Sequence, residues 1–214
     1  MNLTKRFLVA AAVAMISASF ATAASIDIKN ASFEEPALDA GGWSDVNLHW
    51  GDDDGERNED GFTEHIAGFV ADGNNHTGIP EGAEQSQNLG VALTPNTTYT
   101  LTVAVGNRNP SFTVPGNESR IGLYAGGDAQ GGGTLLAEAV FDASNLAESS
   151  FADLTAVYNS GSDPVAGDVW ISLQASGLNR SHFDNVRLDA VVPEPTSLTL
   201  VGMAVLGLVY RRRR

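Results

Sequence analysis

Residues 98–105 constrain the fold most tightly. Tyr99, Leu101, Val103 and Val105 set an apolar side chain at every odd position, while Thr98, Thr100 and Thr102 fill even ones. Alternation with period two belongs to a β-strand that turns one face to a core and the other away from it. β-Branched side chains suit that pleated surface, and a slip of one residue would expose the whole apolar row. Weaker strand signals occur at 25–29, 63–70, 120–125, 134–141, 151–158, 168–175 and 182–188, separated by Gly-, Pro- and Asn-rich turns. Between the two ends of the chain no capped helical pattern is found. Eight or nine short strands with turns roughly every ten residues predict an all-β fold, an antiparallel β-sandwich. Cysteine is absent, which removes disulfide staples and thiol catalysis and leaves burial, or a bound ion, to stabilise the fold.

The two ends read differently. Lys5 and Arg6 precede an apolar run over 7–16, and small residues follow to Ala21-Thr22-Ala23. This is the pattern of a signal peptide, residues 1–23, cleaved after Ala23 or Ala24. At the other end, Pro193 and Pro195 stop the preceding strand, since each fixes φ and lacks an amide donor. Residues 196–210 carry no charge, and as a helix they would extend about 22 Å, short of the ~30 Å hydrocarbon core. Arg211, Arg212, Arg213 and Arg214 then hold that end on the cytoplasmic side. With the leader and the tail from Glu194 onward removed, six basic residues face 25 acidic ones, a net charge of −19. Such a surface repels phosphate backbones, so nucleic acid is excluded as a partner.

Val192-Pro-Glu-Pro-Thr196, the short apolar helix and the terminal arginines resemble the PEP-CTERM sorting signal of Gram-negative bacteria. The resemblance covers 192–214 and implies recognition by an exosortase in the inner membrane, with Pro193, Glu194 and Pro195 as the recognition element. It implies delivery to the cell surface or the extracellular, biofilm matrix. The expected organisation is a signal helix at 1–23, a sandwich domain at 24–191, and a sorting signal with a transmembrane helix at 192–214.

Asn30-x-Ser-Phe-Glu-Glu-Pro, Trp43, Ala71-Asp-Gly-Asn-Asn75, Thr94-Pro-Asn-Thr-Thr-Tyr-Thr-Leu101 and Phe183-Asp-Asn-Val-Arg-Leu188 are similar to motifs of galactose-binding-domain-like jelly rolls. That resemblance implies a jelly roll with its first and last strands side by side. It also implies a structural calcium site formed by Asn30, Glu34 and Asp184, an oxygen set of the kind this ion takes. A competing acidic stretch, 52–60, begins like an EF-hand loop but carries Arg57 at the glycine position and Thr63 at the bidentate-glutamate position, and it reads as a surface loop.

A saccharide ring stacks its C–H face on an aromatic ring, so Trp43, Trp50 and Trp170 are the ligand-binding candidates. Trp170 is out of phase with Val169, Ile171 and Leu173, which places it on the face away from the core. No H-E-x-x-H or G-x-S-x-G motif is present and the four histidines lie in unrelated settings, so no catalytic residue is assigned. The expectation is a non-enzymatic, carbohydrate-binding-like module of the exopolysaccharide matrix. The alternatives are a calcium-dependent structural surface protein and, third, a glycan-active enzyme.

Overall fold

The computed structural model describes residues 23–51, 61–177 and 179–192. The expected signal peptide up to residue 22, the acidic stretch 52–60, the transmembrane segment and the sorting residues Pro193, Glu194, Pro195 and Arg211 to Arg214 lie outside the described residues. Among the described residues no helix is long and apolar enough to cross a membrane.

The fold is an antiparallel β-sandwich of two sheets. The seven-stranded sheet has the order β2 (Trp43–Ser44), β3 (Phe62–Glu64), β4 (His76–Pro80), β11 (Arg180–Val191), β6 (Thr98–Asn107) and β9 (Ser150–Asn159), and β1 (Ala23–Ile26) pairs with β11. The four-stranded sheet has the order β5 (Glu84–Ala92), β10 (Asp168–Ser176), β7 (Glu118–Ala125) and β8 (Thr134–Asp142). The first strand and the last are therefore paired, as the jelly-roll resemblance implies.

The alternation over 98–105 has the predicted consequence. Leu101, Val103 and Val105 are buried against Ile121, Leu123, Ile171 and Leu173 of the other sheet and Phe183 and Leu188 of their own. Each such aliphatic side chain contributes roughly 1.5–3 kcal/mol of burial free energy. All of this core lies within Ala24–Ala190, one compact unit, so the domain holds the contacts it needs to fold alone.

Two expectations are corrected. The strand expected at 63–70 ends at Glu64, because the chain leaves the sheet through turns at Gly68 and Gly73, both at positive φ. Phe69 is thereby carried over the outer face of the sheet, where it stacks on Phe151. The second concerns 76–92, where no strand is predicted and the structure forms two, β4 and β5. β4 is buried on both faces and so shows no alternation. β5 buries Gln85 and Gln87: Gln87 bonds the backbone of Lys29 and His49 through both ends of its amide, and Gln85 Oε1 accepts from Thr77 Oγ1 while its Nε2 has no partner among the described residues.

Candidate outer-face site

Antiparallel pairing places directly opposed residues on one face of a sheet. Trp43 lies opposite Glu64, Glu64 opposite His76, Phe62 opposite Gly78, and Gly78 opposite His182. Arg180, two residues before His182, is on that face too. It is the outer face, since Phe183 and Ile79, on the alternate positions, belong to the core. Gly78 is required here, because the Phe62 ring occupies the space a Cβ would need. The turn after β6 adds Arg108 and Phe112, tied to β11 by Asn179, whose side-chain amide donates to Ser111 O at 2.9 Å.

The rim of this face is aromatic and cationic. Trp43 is 58% exposed, and its ring centre lies 6.2 Å from that of Phe62. The Arg180 guanidinium rests on Phe62 and Phe112, at 4.9 and 4.8 Å from the ring centres, and Arg108 rests on Phe112 at 4.1 Å. Arg108 pairs with Glu64 at 2.8 Å. Burial, opposed by Glu64 and assisted by Arg108, lowers the Arg180 pKa from its ordinary value.

Deeper in the same face, His76 and His182 lie 5.3 Å apart, both fully buried, with Phe69 edge-on to each. The close approach of Phe69 and Phe151, within 2.8 Å of where a Cβ would stand, reserves position 106 for glycine. No ring nitrogen of either histidine makes a well-formed hydrogen bond, and Glu64 Oε2 is 3.7 Å from His76 Nε2. Burial, then Arg108, lowers the His76 pKa to about 3, although the Phe69 backbone acts weakly the other way. Burial and the neighbouring His76 hold His182 well below its ordinary value. Both rings are therefore neutral near pH 7.

The residues expected to hold calcium, Asn30, Glu34 and Asp184, bond the backbone of nearby turns. Asp184 Oδ2 accepts from the amides of Ala71 and Asp72 at 2.7 and 2.9 Å, and Oδ1 accepts from Asn185 at 2.7 Å. Glu34 Oε1 accepts from the amides of Asn74 and Asn75, both at 2.8 Å. Asn30 closes its own loop, accepting from Glu35 N and donating to Glu35 O and Leu48 O. The two carboxylates thus clamp the 71–75 turn, and among the described residues no group of three or more His, Asp or Glu could hold a metal ion. Burial pushes Asp184 up to about 7, against the three amides, which favour the charged form.

The three tryptophans separate. Trp43 is exposed on the outer face just described. Trp50, at 1% exposure, is a core residue packed 5.3 Å from Phe33 with its indole N–H donating to Asn30 O; this corrects its expected ligand role. Trp170 is half-buried on the outer face of the four-stranded sheet, opposite Tyr124, and Tyr124 lies over Gly122. A cleft of about 560 Å³ lies on that side, lined by Arg120, Tyr124, Gln130, Glu138 and Gln174 among others.

Sequence reading missed Phe62, Glu64, His76, Arg108, Phe112, Arg180 and His182. The usable signal was the spacing of two in Phe62-x-Glu64, His76-x-Gly78 and Arg180-x-His182, but only strand pairing reveals that these face one way.

A sorted, exported β-sandwich is the class these features define. Residues 191–214 match the PEP-CTERM protein-sorting motif, which marks the chain for export and sorting to the cell envelope or surface. The chain belongs to the HpiC1-like family, described as HpiC1 cyclase, whose match spans residues 24–189. Among solved structures it is similar to the Stig cyclase Fisc from Fischerella sp. TAU in complex with (3Z)-3-(1-methyl-2-pyrrolidinylidene)-3H-indole, at 28% identity and a TM-score of 0.62, covering 81% of this chain and 100% of that one. The apo form of a cyclase from Fischerella sp. matches at 28% identity and TM-score 0.65, over 81% and 98%. The CBM22-1 xylan-binding domain of Paenibacillus barcinonensis Xyn10C shares the fold at 11% identity and TM-score 0.50, over 82% and 100%. No curated protein matches the sequence.

Proposed function

We propose that the exported domain is a non-enzymatic carbohydrate-binding module of the extracellular matrix, which engages polysaccharide on the outer face of its seven-stranded sheet. The observation that carries this reading is Trp43, a mostly exposed indole beside Phe62 on a face that also holds Arg108, Arg180 and Glu64. An indole supplies a flat platform for the C–H face of a sugar, and charged groups at its edge order the hydroxyls. Removal of the leader at 1–23 and exosortase processing at Pro193, Glu194 and Pro195 would leave a domain of about 24–191 to act outside the inner membrane. The likeness to a xylan-binding domain is one of fold and agrees with this role. Affinity electrophoresis of residues 24–191 in gels of neutral and acidic polysaccharides tests it: retardation that Trp43→Ala abolishes is expected, and equal mobility in every gel would refute it.

A second reading, catalysis, is favoured by the cyclases of the family and by Asp184. A buried carboxyl with a pKa of about 7 is suited to donate a proton near neutral pH. Saturable binding of an indole ligand that Asp184→Asn abolishes, with no retardation on polysaccharide, would replace the first reading by this one.

A further inference from the structure

Arginine is scarce in this domain, and its placement is informative. Among the described residues Arg108 pairs with Glu64, Arg120 with Glu118 and Glu138, and Arg187 with Asp153. Among the same residues Arg180 forms no ion pair, and Glu64 acts on it only at longer range. In a module of charge −19, an arginine is held half-buried on two aromatic rings while acidic side chains abound elsewhere. Contact with Phe62 and Phe112 holds the guanidinium in place through the rings' π-faces, which accept no N–H···O bond of the kind a carboxylate offers. Arg108 is already neutralised by Glu64, so among the described residues the two arginines and one carboxylate leave one surplus positive charge there.

We propose that the ligand of this face is an acidic polysaccharide, and that a uronate carboxylate pairs with Arg180 while the adjoining ring stacks on Trp43. This rests on the reading of the face as a polysaccharide site and names its substrate class. A planar guanidinium matches a carboxylate with two parallel hydrogen bonds, which gives orientation as well as strength. The net negative charge of the domain opposes a polyanion at long range. Salt at physiological strength screens that repulsion beyond about 8 Å, whereas a stacked, partly desolvated contact pair is screened much less.

The test compares polygalacturonate and alginate with their own methyl esters, which keep the backbone and remove the charge, by affinity electrophoresis of residues 24–191. At least one of the two free acids should be bound roughly tenfold more tightly than its ester, the scale of one charge-assisted pair. Arg180→Gln should remove that preference, so that acid and ester are retarded alike, Arg180→Lys should restore part of it, and both variants should still melt cooperatively. Equal retardation by acid and ester, or a preference that survives in Arg180→Gln, overturns the proposal while binding that depends on Trp43 leaves the parent reading standing. No binding to any acidic or neutral polymer overturns both.

Discussion

Replacing Asp184 by asparagine sets the burial of a charge against the three amides that point at it. The folded carboxyl has a pKa of about 7 against 3.8 for the free group. A raised pKa of this kind gives stability that is complete below 3.8 and is lost as pH rises through 7. Between pH 5 and pH 8 the folded group passes from protonated to ionised, while the unfolded one is ionised throughout. At about 1.36 kcal/mol per pH unit, Asp184 should cost the fold roughly 2–3 kcal/mol over that interval. His76 works in the opposite sense, because its lowered pKa gives stability present above 6.5 and lost as pH falls toward 3. A wild-type titration would mix the two effects. The difference between wild type and Asp184→Asn isolates the first, since the histidines cancel and the asparagine's imperfect acceptance of three amides is independent of pH. Urea unfolding of the domain at pH 5 and pH 8 reads it. Relative to the variant, the wild type should be more stable at pH 5 than at pH 8 by those 2–3 kcal/mol. A difference that is flat, or grows toward pH 8, would mean that the amides hold the carboxylate ionised and that the burial argument is wrong.

Other consequences follow from the same contacts. His76→Gln should flatten the acid limb of the stability profile by about 2 kcal/mol between pH 8 and pH 5, measured by the same unfolding series; an unchanged limb would contradict the buried neutral ring. Gly78→Ala drives a methyl group into the Phe62 ring and should cost about 1–3 kcal/mol, and a melting temperature equal to wild type would show that the ring is free to move. Leu101→Ala should cost about 2–5 kcal/mol, seen as a lower urea midpoint. If turn amides satisfy Glu34 and Asp184, EDTA should leave the melting temperature unchanged. A site holding calcium at a hundred times its dissociation constant would add ~2.7 kcal/mol, so a clear drop on chelation would show a bound ion.

Much of the sandwich could be read from alternation alone. β6 runs from Thr98 to Asn107 around the predicted row, and Trp170 lies on the far side from Val169, Ile171 and Leu173 as its phase requires. β4 and β5 escaped because buried polar residues carry no hydrophobic period. Gln85 and Gln87 become interior only when the backbone of Lys29 and the hydroxyl of Thr77 reach them. The site was harder still. Trp43 and Trp50 are indistinguishable by composition, and only the pairing of β2 with β3 exposes one while Phe33 covers the other. Arg180 gains meaning from Phe62 and Phe112, which come from two distant segments. No local pattern announces that meeting.

The most direct test of an outer-face saccharide site is an NMR titration of the three indole N–H signals with polysaccharide fragments. The Trp43 signal should shift saturably while those of Trp50, buried against Phe33, and Trp170, on the other sheet, stay in place. Movement of Trp170 alone, or of none of the three, would contradict it.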